Sequence, residues 1–239
     1  MTTSPAGLAS SRVPVLWLLL AVAFVAFPYS VYRIFLLTPI EREMGTAQKI
    51  FYFHVPLAWV CMLFAVISGV AAGIQLARSS TRANAVAAAA AEICVLAGAG
   101  VLVTGPIWGN ATWGVPWTGD ARQVSTALLW LVFVAYLVLV RFGPSNGERL
   151  AAALAVFGAV NVPIVYYAVR IWRTTHPTTN VVPTLPRDMW GSLWPALAAL
   201  LAFSFALFII RSRQARLVHV LDRAWIELEN ERDATSKGA

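Results

Sequence analysis

Six stretches of this chain, at roughly 14–35, 51–77, 85–107, 124–141, 150–171 and 190–210, are apolar for long enough to cross a lipid bilayer. A hydrocarbon core of about 30 Å takes about 20 apolar residues of helix. Within lipid the backbone must satisfy its own hydrogen bonds, which leaves only helices and closed barrels. The runs here are continuous and show no in–out alternation, so a barrel is excluded. The expected fold is all-α: a polytopic membrane protein built as a bundle of six transmembrane helices. Composition agrees, because 59% of the 239 residues are hydrophobic and 12% are charged, against about 25% charged in soluble domains. A soluble enzyme and a disordered chain are both excluded. The first run is longer than the roughly 7–15 residues of a signal-peptide core, and it reads as a retained helix.

The net charge of +7 does not mark a nucleic-acid binder, because most of the basic residues flank the apolar runs. With both termini inside, the inner side carries Arg12, Arg78, Arg82, Arg141, Arg149, Arg211, Arg213, Arg216, Arg223, Arg232 and Lys237. The outer side carries Arg33, Arg42, Lys49, Arg122, Arg170, Arg173 and Arg187, offset by Glu41, Glu43, Asp120 and Asp188. The excess of cations on one side sets the orientation as N-in and C-in. The expected organisation is a membrane domain over 1–212, with an outer tryptophan-rich loop at about 105–123, and a cytoplasmic tail over 213–239. In that tail Leu217, Leu221 and Leu228 recur at near-helical spacing, as in an amphipathic helix or a solvated extension. Cys61 and Cys94 both fall inside apolar runs and read as small buried hydrophobes.

No internal repeat is visible, and there is no phosphate-binding loop, HExxH or GxSxG pattern. Any ATP-driven step would need a nucleotide site on another subunit. Within the spans, Glu92 calls for a partner helix or snorkelling, since a mid-membrane charge costs about 2.5–3.5 kcal/mol. Asn161, with Pro163 beside it, marks an interhelical hydrogen bond or a local irregularity in span five.

The chemistry-bearing residues gather on the outer side. His54, in KIFYFHVPLAW, starts span two, and His176, in IWRTTHPTTNVVP, follows span five. They lie 122 residues apart and face the same side. His219, in the inner tail, has no assigned role. Neutral imidazole is a common ligand of iron, and two imidazoles can hold one haem iron axially. A single interfacial histidine ordinarily does no more than hydrogen-bond.

The third outer element points further. In TGPIWGNATWGVPWTGDARQVS, Trp108, Trp113 and Trp117 sit among Gly105, Gly109, Gly114 and Gly119, closed by Asp120 and Arg122. An aromatic belt at the headgroups is the plain reading. Three indoles with intervening glycines also suit a flat, largely apolar macrocycle. Haem carboxylates need cations, and arginine pairs with carboxylate in a bidentate fork. Arg122, Arg170 and Arg173 are the candidates, with Arg33 and Lys49 as interfacial charges behind them. Asp120 either orients the loop or pairs with Arg122.

Three stretches together resemble the haem exporter protein C (CcmC) family of cytochrome c maturation, among the haem-handling membrane proteins with a tryptophan-rich WWD segment. They are TGPIWGNATWGVPWTGDAR at 104–122, FYFHVPLAW at 51–59 and IWRTTHPTT at 171–179. Six spans and about 240 residues fit as well. The resemblance implies that His54 and His176 are axial ligands of a non-covalent haem b, and that Trp108, Trp113, Trp117, Asp120 and Arg122 complete its binding segment. It implies haem delivery at the outer face to a membrane-anchored haem chaperone (CcmE-type). The implied neighbours are ABC-type ATPase and permease subunits (CcmA/CcmB-type) and a small single-span subunit (CcmD-type), in the bacterial inner membrane. Two positions depart from the family pattern: Gly119 stands where a tryptophan often precedes the aspartate, and Pro177 follows the second histidine in place of glutamine.

Three other readings compete. A haem-attaching cytochrome c synthase shares the tryptophan-rich segment but generally has more spans and histidines. A solute permease with an aromatic outer gate would concentrate polar residues at mid-span. A membrane enzyme would use His54, His176 or Asp120 as a general base, and no catalytic role is expected here.

Overall fold

The computed structural model describes residues 13–144, 147–172, 174–177 and 185–237. Six long helices carry the chain: α1 Val13–Tyr32, α2 Phe51–Arg78, α3 Thr81–Trp113, α4 Ala121–Phe142, α5 Glu148–Ile171 and α6 Arg187–Lys237. Among the described residues there is no strand, only an isolated bridge between Glu41 and Gly45. All six are long and apolar enough to span a membrane, α6 over Arg187–Val218. The chain is therefore an all-α, multi-pass membrane protein, and each of the six expected runs has its own helix, the first continuing past α1 as a π-helical turn, Arg33–Leu37.

Prolines lie inside five of these helices, Pro28, Pro56, Pro106, Pro163 and Pro195. In water each would break a helix, but packed neighbours tolerate them within a membrane. Pro106 matters most. The tryptophan-rich stretch reads as a loop from 105, yet α3 continues through Pro106 as far as Trp113. It stops only at Gly114, whose left-handed φ of +74° lets its N–H bond Asn110 O at 3.0 Å. Trp108 and Trp113 are thus helical, and the true connection is the short segment 114–120.

The helices pack as a ring with an outrigger. α2 lies against α3 and α5, and α4 also lies against α3 and α5, so α2 and α4 face one another diagonally. α1 packs on α6, and α6 joins the ring through α2 and α3. Small residues draw the ring together. Ala87, Ala90, Ala91 and Ala97 of α3 are buried against α2, and Ser68 Oγ donates to Ala87 O at 2.8 Å. Phe64, Phe133 and Tyr136 fill the interior, with the Phe64 ring tilted against Phe205 and edge-on to Phe208 of α6. Cys61 and Cys94 are free, buried thiols with sulfurs 3.7 Å apart.

The two in-span polar residues have partners. Glu92 accepts from Arg211 Nε at 2.5 Å and Nη2 at 2.6 Å, a bidentate pair joining α3 to α6. Asn161 Nδ2 donates to Ser125 O at 3.2 Å, joining α5 to α4. α6 runs unbroken through residue 213 to Lys237, and Leu217, Leu221 and Leu228 are exposed along it. Arg12 and Arg173 lie outside the described residues, as does the side chain of His219.

Candidate functional site

The ring opens at one end into a cavity of about 560 Å³ lined mostly by apolar side chains. That volume is within the roughly 300–1,000 Å³ typical of small-ligand sites. His54, His176, Trp108, Trp113, Trp117 and Arg122 all line it. The apolar stretches of α2, α3, α4 and α5 form its walls; His54, Trp108, Trp113 and Arg122 enter from helix ends, Trp117 from segment 114–120 and His176 from the residues after α5.

His54 sits in the first turn of α2. Its Nδ1 lies 2.9 Å from Thr104 Oγ1 on α3. The single hydroxyl proton of Thr104 goes to Gly100 O at 2.7 Å, so Thr104 accepts from His54. The imidazole proton is thereby held on Nδ1, and Nε2 keeps its lone pair. Gly105 provides the clearance: a Cβ there would come within 3.3 Å of His54 Cε1.

His176 follows α5 and reaches the same tautomer by other means. Its Nδ1 lies 2.8 Å from Pro177 O. A carbonyl only accepts, so Nδ1 is the donor and Nε2 is again free. Burial pushes its pKa below the ordinary histidine value, and the Arg122 guanidinium adds to that, against the opposing pull of Pro177 O and Asp120. The balance favours the neutral imidazole. His54 is braced by α2 and α3, whereas His176 belongs to the side built by α4 and α5.

Asp120 does not line the cavity. Its Oδ1 caps α4 by accepting from Gln123 N at 3.0 Å, and its Oδ2 accepts from Thr175 N at 3.2 Å and Thr175 Oγ1 at 2.9 Å. It clasps the residue beside His176 to the start of α4. Of the two roles foreseen, the structure has the orienting one, since Arg122 turns elsewhere. Burial raises the Asp120 pKa, but the hydrogen bonds from Gln123 and Thr175 outweigh it and leave the carboxylate below its usual range. Gln123 completes the corner, its Oε1 accepting from Thr118 N at 2.9 Å and Gly119 N at 3.0 Å. Gly119 adopts φ +72°, a conformation that a tryptophan would strain.

Arg122 spends its Nη1 on backbone carbonyls of α5, Val165 O at 2.6 Å and Tyr166 O at 3.3 Å. Arg170, Lys49 and Arg33 do not line the cavity. Arg170 sits over the rings of Tyr166 and Tyr167, Lys49 bonds Phe35 O at 2.8 Å, and Arg33 lies beside Tyr29. Trp108 and Trp113 pack edge to face, centroids 4.8 Å apart, which fixes both indoles at the wall. Trp117 is 44% exposed at the rim. Among the described residues no group of three or more His, Cys, Asp or Glu is placed to hold a bare metal ion. Two imidazole side chains, His54 and His176, line the cavity.

A family model described as heme exporter protein C matches residues 2–227. The chain belongs to the heme exporter protein C family. A relative named "Heme exporter protein C" from Bradyrhizobium diazoefficiens is 33% identical over 190 residues, 78% of this chain and 72% of the relative. One of the same name from Escherichia coli K12 is 32% identical over 192 residues, 79% and 78%. A "Putative cytochrome c biosynthesis ccmC-like mitochondrial protein" from Marchantia polymorpha is 27% identical over 210 residues, 87% of each chain. The matched region of this heme exporter protein C family member encloses every residue of the cavity.

Sequence reasoning missed the supporting residues. Thr104, Thr175, Gln48 and Gln123 carry no chemistry that stands out in a sequence. Only Gln123 had a local signal, the Asp-x-x-Gln spacing of 120–123, which is the pattern of a capping box.

Proposed function

We propose that this protein binds haem as cargo at the outer face of the membrane and hands it to a membrane-anchored haem chaperone during cytochrome c maturation. The observation that carries the reading is the pair His54 and His176. Each has its Nδ1 proton committed, to Thr104 Oγ1 and Pro177 O, and each leaves Nε2 free on one apolar cavity. Membership of the heme exporter protein C family supports the same cargo.

The protein's own part is positioning. His54 and His176 would hold the iron between them, and the hydrogen bonds at their Nδ1 atoms fix ring orientation and raise basicity. Trp108 and Trp113 offer indole surface to the macrocycle. The apolar walls keep water off the iron. Asp120 acts through Thr175, holding the segment that carries His176. Trp117, exposed at the rim, is placed to meet an acceptor.

In this reading the outer side is periplasmic, in the inner membrane of a bacterium. ABC-type ATPase and permease subunits and a small single-span subunit accompany the protein. The test is transfer. In cells that lack their own family member but keep the other maturation subunits, the chaperone is purified and its haem content measured. This chain is expected to restore haem on the chaperone, and His54→Ala or His176→Ala to abolish it. A chaperone loaded equally well by both variants would overturn the proposal.

A further inference from the structure

The two histidines on the cavity are held by unlike supports. His54 belongs to α2, and Thr104, which accepts from its Nδ1 at 2.9 Å, belongs to α3. Thr104 is tied back in turn to Gly100 O at 2.7 Å within α3. Beyond that contact the two helices stay in register: Gly100 faces Leu57, Cys61 meets Cys94, and Ser68 Oγ donates to Ala87 O. Displacing the His54 ring therefore means shifting a packed helix pair.

His176 lies outside the helices. Its Nδ1 donates to the carbonyl of the next residue, Pro177, so that bond travels with it. Thr175 ties this stretch to the bundle. Its N–H and its Oγ1 both donate to Asp120 Oδ2, at 3.2 and 2.9 Å, and both bonds are exposed to solvent. Thr175 itself does not line the cavity. Exposed hydrogen bonds between two non-helical stretches open at a lower free energy than a buried helix pair. The stretch that receives the tie, 114–120, also carries Trp117 at the rim. An acceptor that meets the rim there meets the tie as well.

We propose that His176 is the ligand that yields first and His54 the one that keeps its hold, with the Asp120–Thr175 tie deciding when. As the tie opens, His176 Nε2 gives up the iron to a lone pair of the acceptor, and His54 lets go only afterwards. One iron–nitrogen bond breaks and one bond to the acceptor forms, and no electron or proton changes place. This assignment rests on the haem reading above and adds to it the order of release. Thr175 is a positioning residue that acts through His176.

The test uses carbon monoxide as the incoming ligand. The full-length protein is loaded with haem, reduced and mixed with saturating carbon monoxide, which enters six-coordinate haem no faster than a protein ligand leaves. Thr175→Val removes the hydroxyl donor and keeps the shape, Thr175→Ser restores the donor, and Thr104→Val weakens the support of His54 in the same way. Thr175→Val is expected to speed uptake about fivefold or more, the size of one lost hydrogen bond. Thr175→Ser should return the wild-type rate, and Thr104→Val should speed uptake less than Thr175→Val does. In the haem-free protein, Thr175→Val should also raise amide hydrogen exchange over residues 174–176, with the amides of α2 and α3 still protected as proof of folding. Should Thr175→Val fail to fold, Asp120→Asn loosens the same tie and carries the same comparison. A rate unchanged in Thr175→Val, or raised as much or more in Thr104→Val, would overturn the order of release while leaving the haem reading in place. A wild-type protein that takes up no haem, or holds it without six-coordination, would instead bring down the haem reading, and the order of release with it.

Discussion

Asp120 receives three hydrogen bonds from two directions, one from the first turn of α4 and two from Thr175. Its loss therefore acts twice. Removing an N-cap costs about 1 kcal/mol, and it also frees the segment that holds His176. For Asp120→Ala we expect a fall of a few degrees in thermal midpoint, together with conversion of six-coordinate low-spin haem toward five-coordinate high-spin by electron paramagnetic resonance. Low-spin haem unchanged in that variant would refute the clasp. Proton linkage gives a second prediction. The depressed pKa of His176 favours its neutral form, so its contribution to stability is full above the unfolded value of about 6.5. That contribution is lost as the pH falls through the lower, folded value. Titration of His176 in the haem-free protein by nuclear magnetic resonance should give a midpoint below 6.5, and a midpoint at or above it would contradict the burial described. The histidines and tryptophans were legible in the sequence because such residues stand out in an apolar chain. Their supports were not, because Thr104 meets His54 across 50 residues and Thr175 meets Asp120 across 55, pairings that tertiary packing alone decides.

Between elements, contact depends on small residues and a few polar ties. A Cβ on Gly69 of α2 would lie 2.2 Å from Ala159 Cβ and 3.0 Å from Ala155 O of α5. Gly69→Val must push the two helices apart, and overpacking of this kind costs about 1–3 kcal/mol. The measurable outcome is a lower thermal midpoint in detergent. An unchanged midpoint would mean that α2 and α5 do not pack this closely. Glu92 and Arg211 tie α3 to α6, and a double-mutant cycle with Glu92→Gln and Arg211→Gln should give a coupling of about 1 kcal/mol or more. Additive effects would show that the pair contributes nothing. The helices were readable because the length of an apolar run sets a span directly. The end of α3 was not. Gly105, Pro106 and Gly109 look like breakers in water, but packing against α2 carries α3 on to Trp113, and only Gly114, with its positive φ, stops it.

For the whole molecule, the ring of α2, α3, α4 and α5 converts four helix ends into one cavity, with α1 and α6 alongside. Segment 114–120, through Trp117, and His176 flank that cavity. A membrane-impermeant thiol reagent should label a cysteine placed at Thr118 from outside intact cells and leave one placed near Arg232 unlabelled. The reverse pattern would invert the orientation. The central claim is that one haem is held between His54 and His176. It is tested most directly by the absorption spectrum of the purified protein loaded with haem, oxidised and reduced, beside His54→Ala and His176→Ala. The account predicts a Soret band with sharp reduced α and β bands, lost or shifted in each variant. Failure to take up haem, or spectra identical in all three proteins, would contradict it.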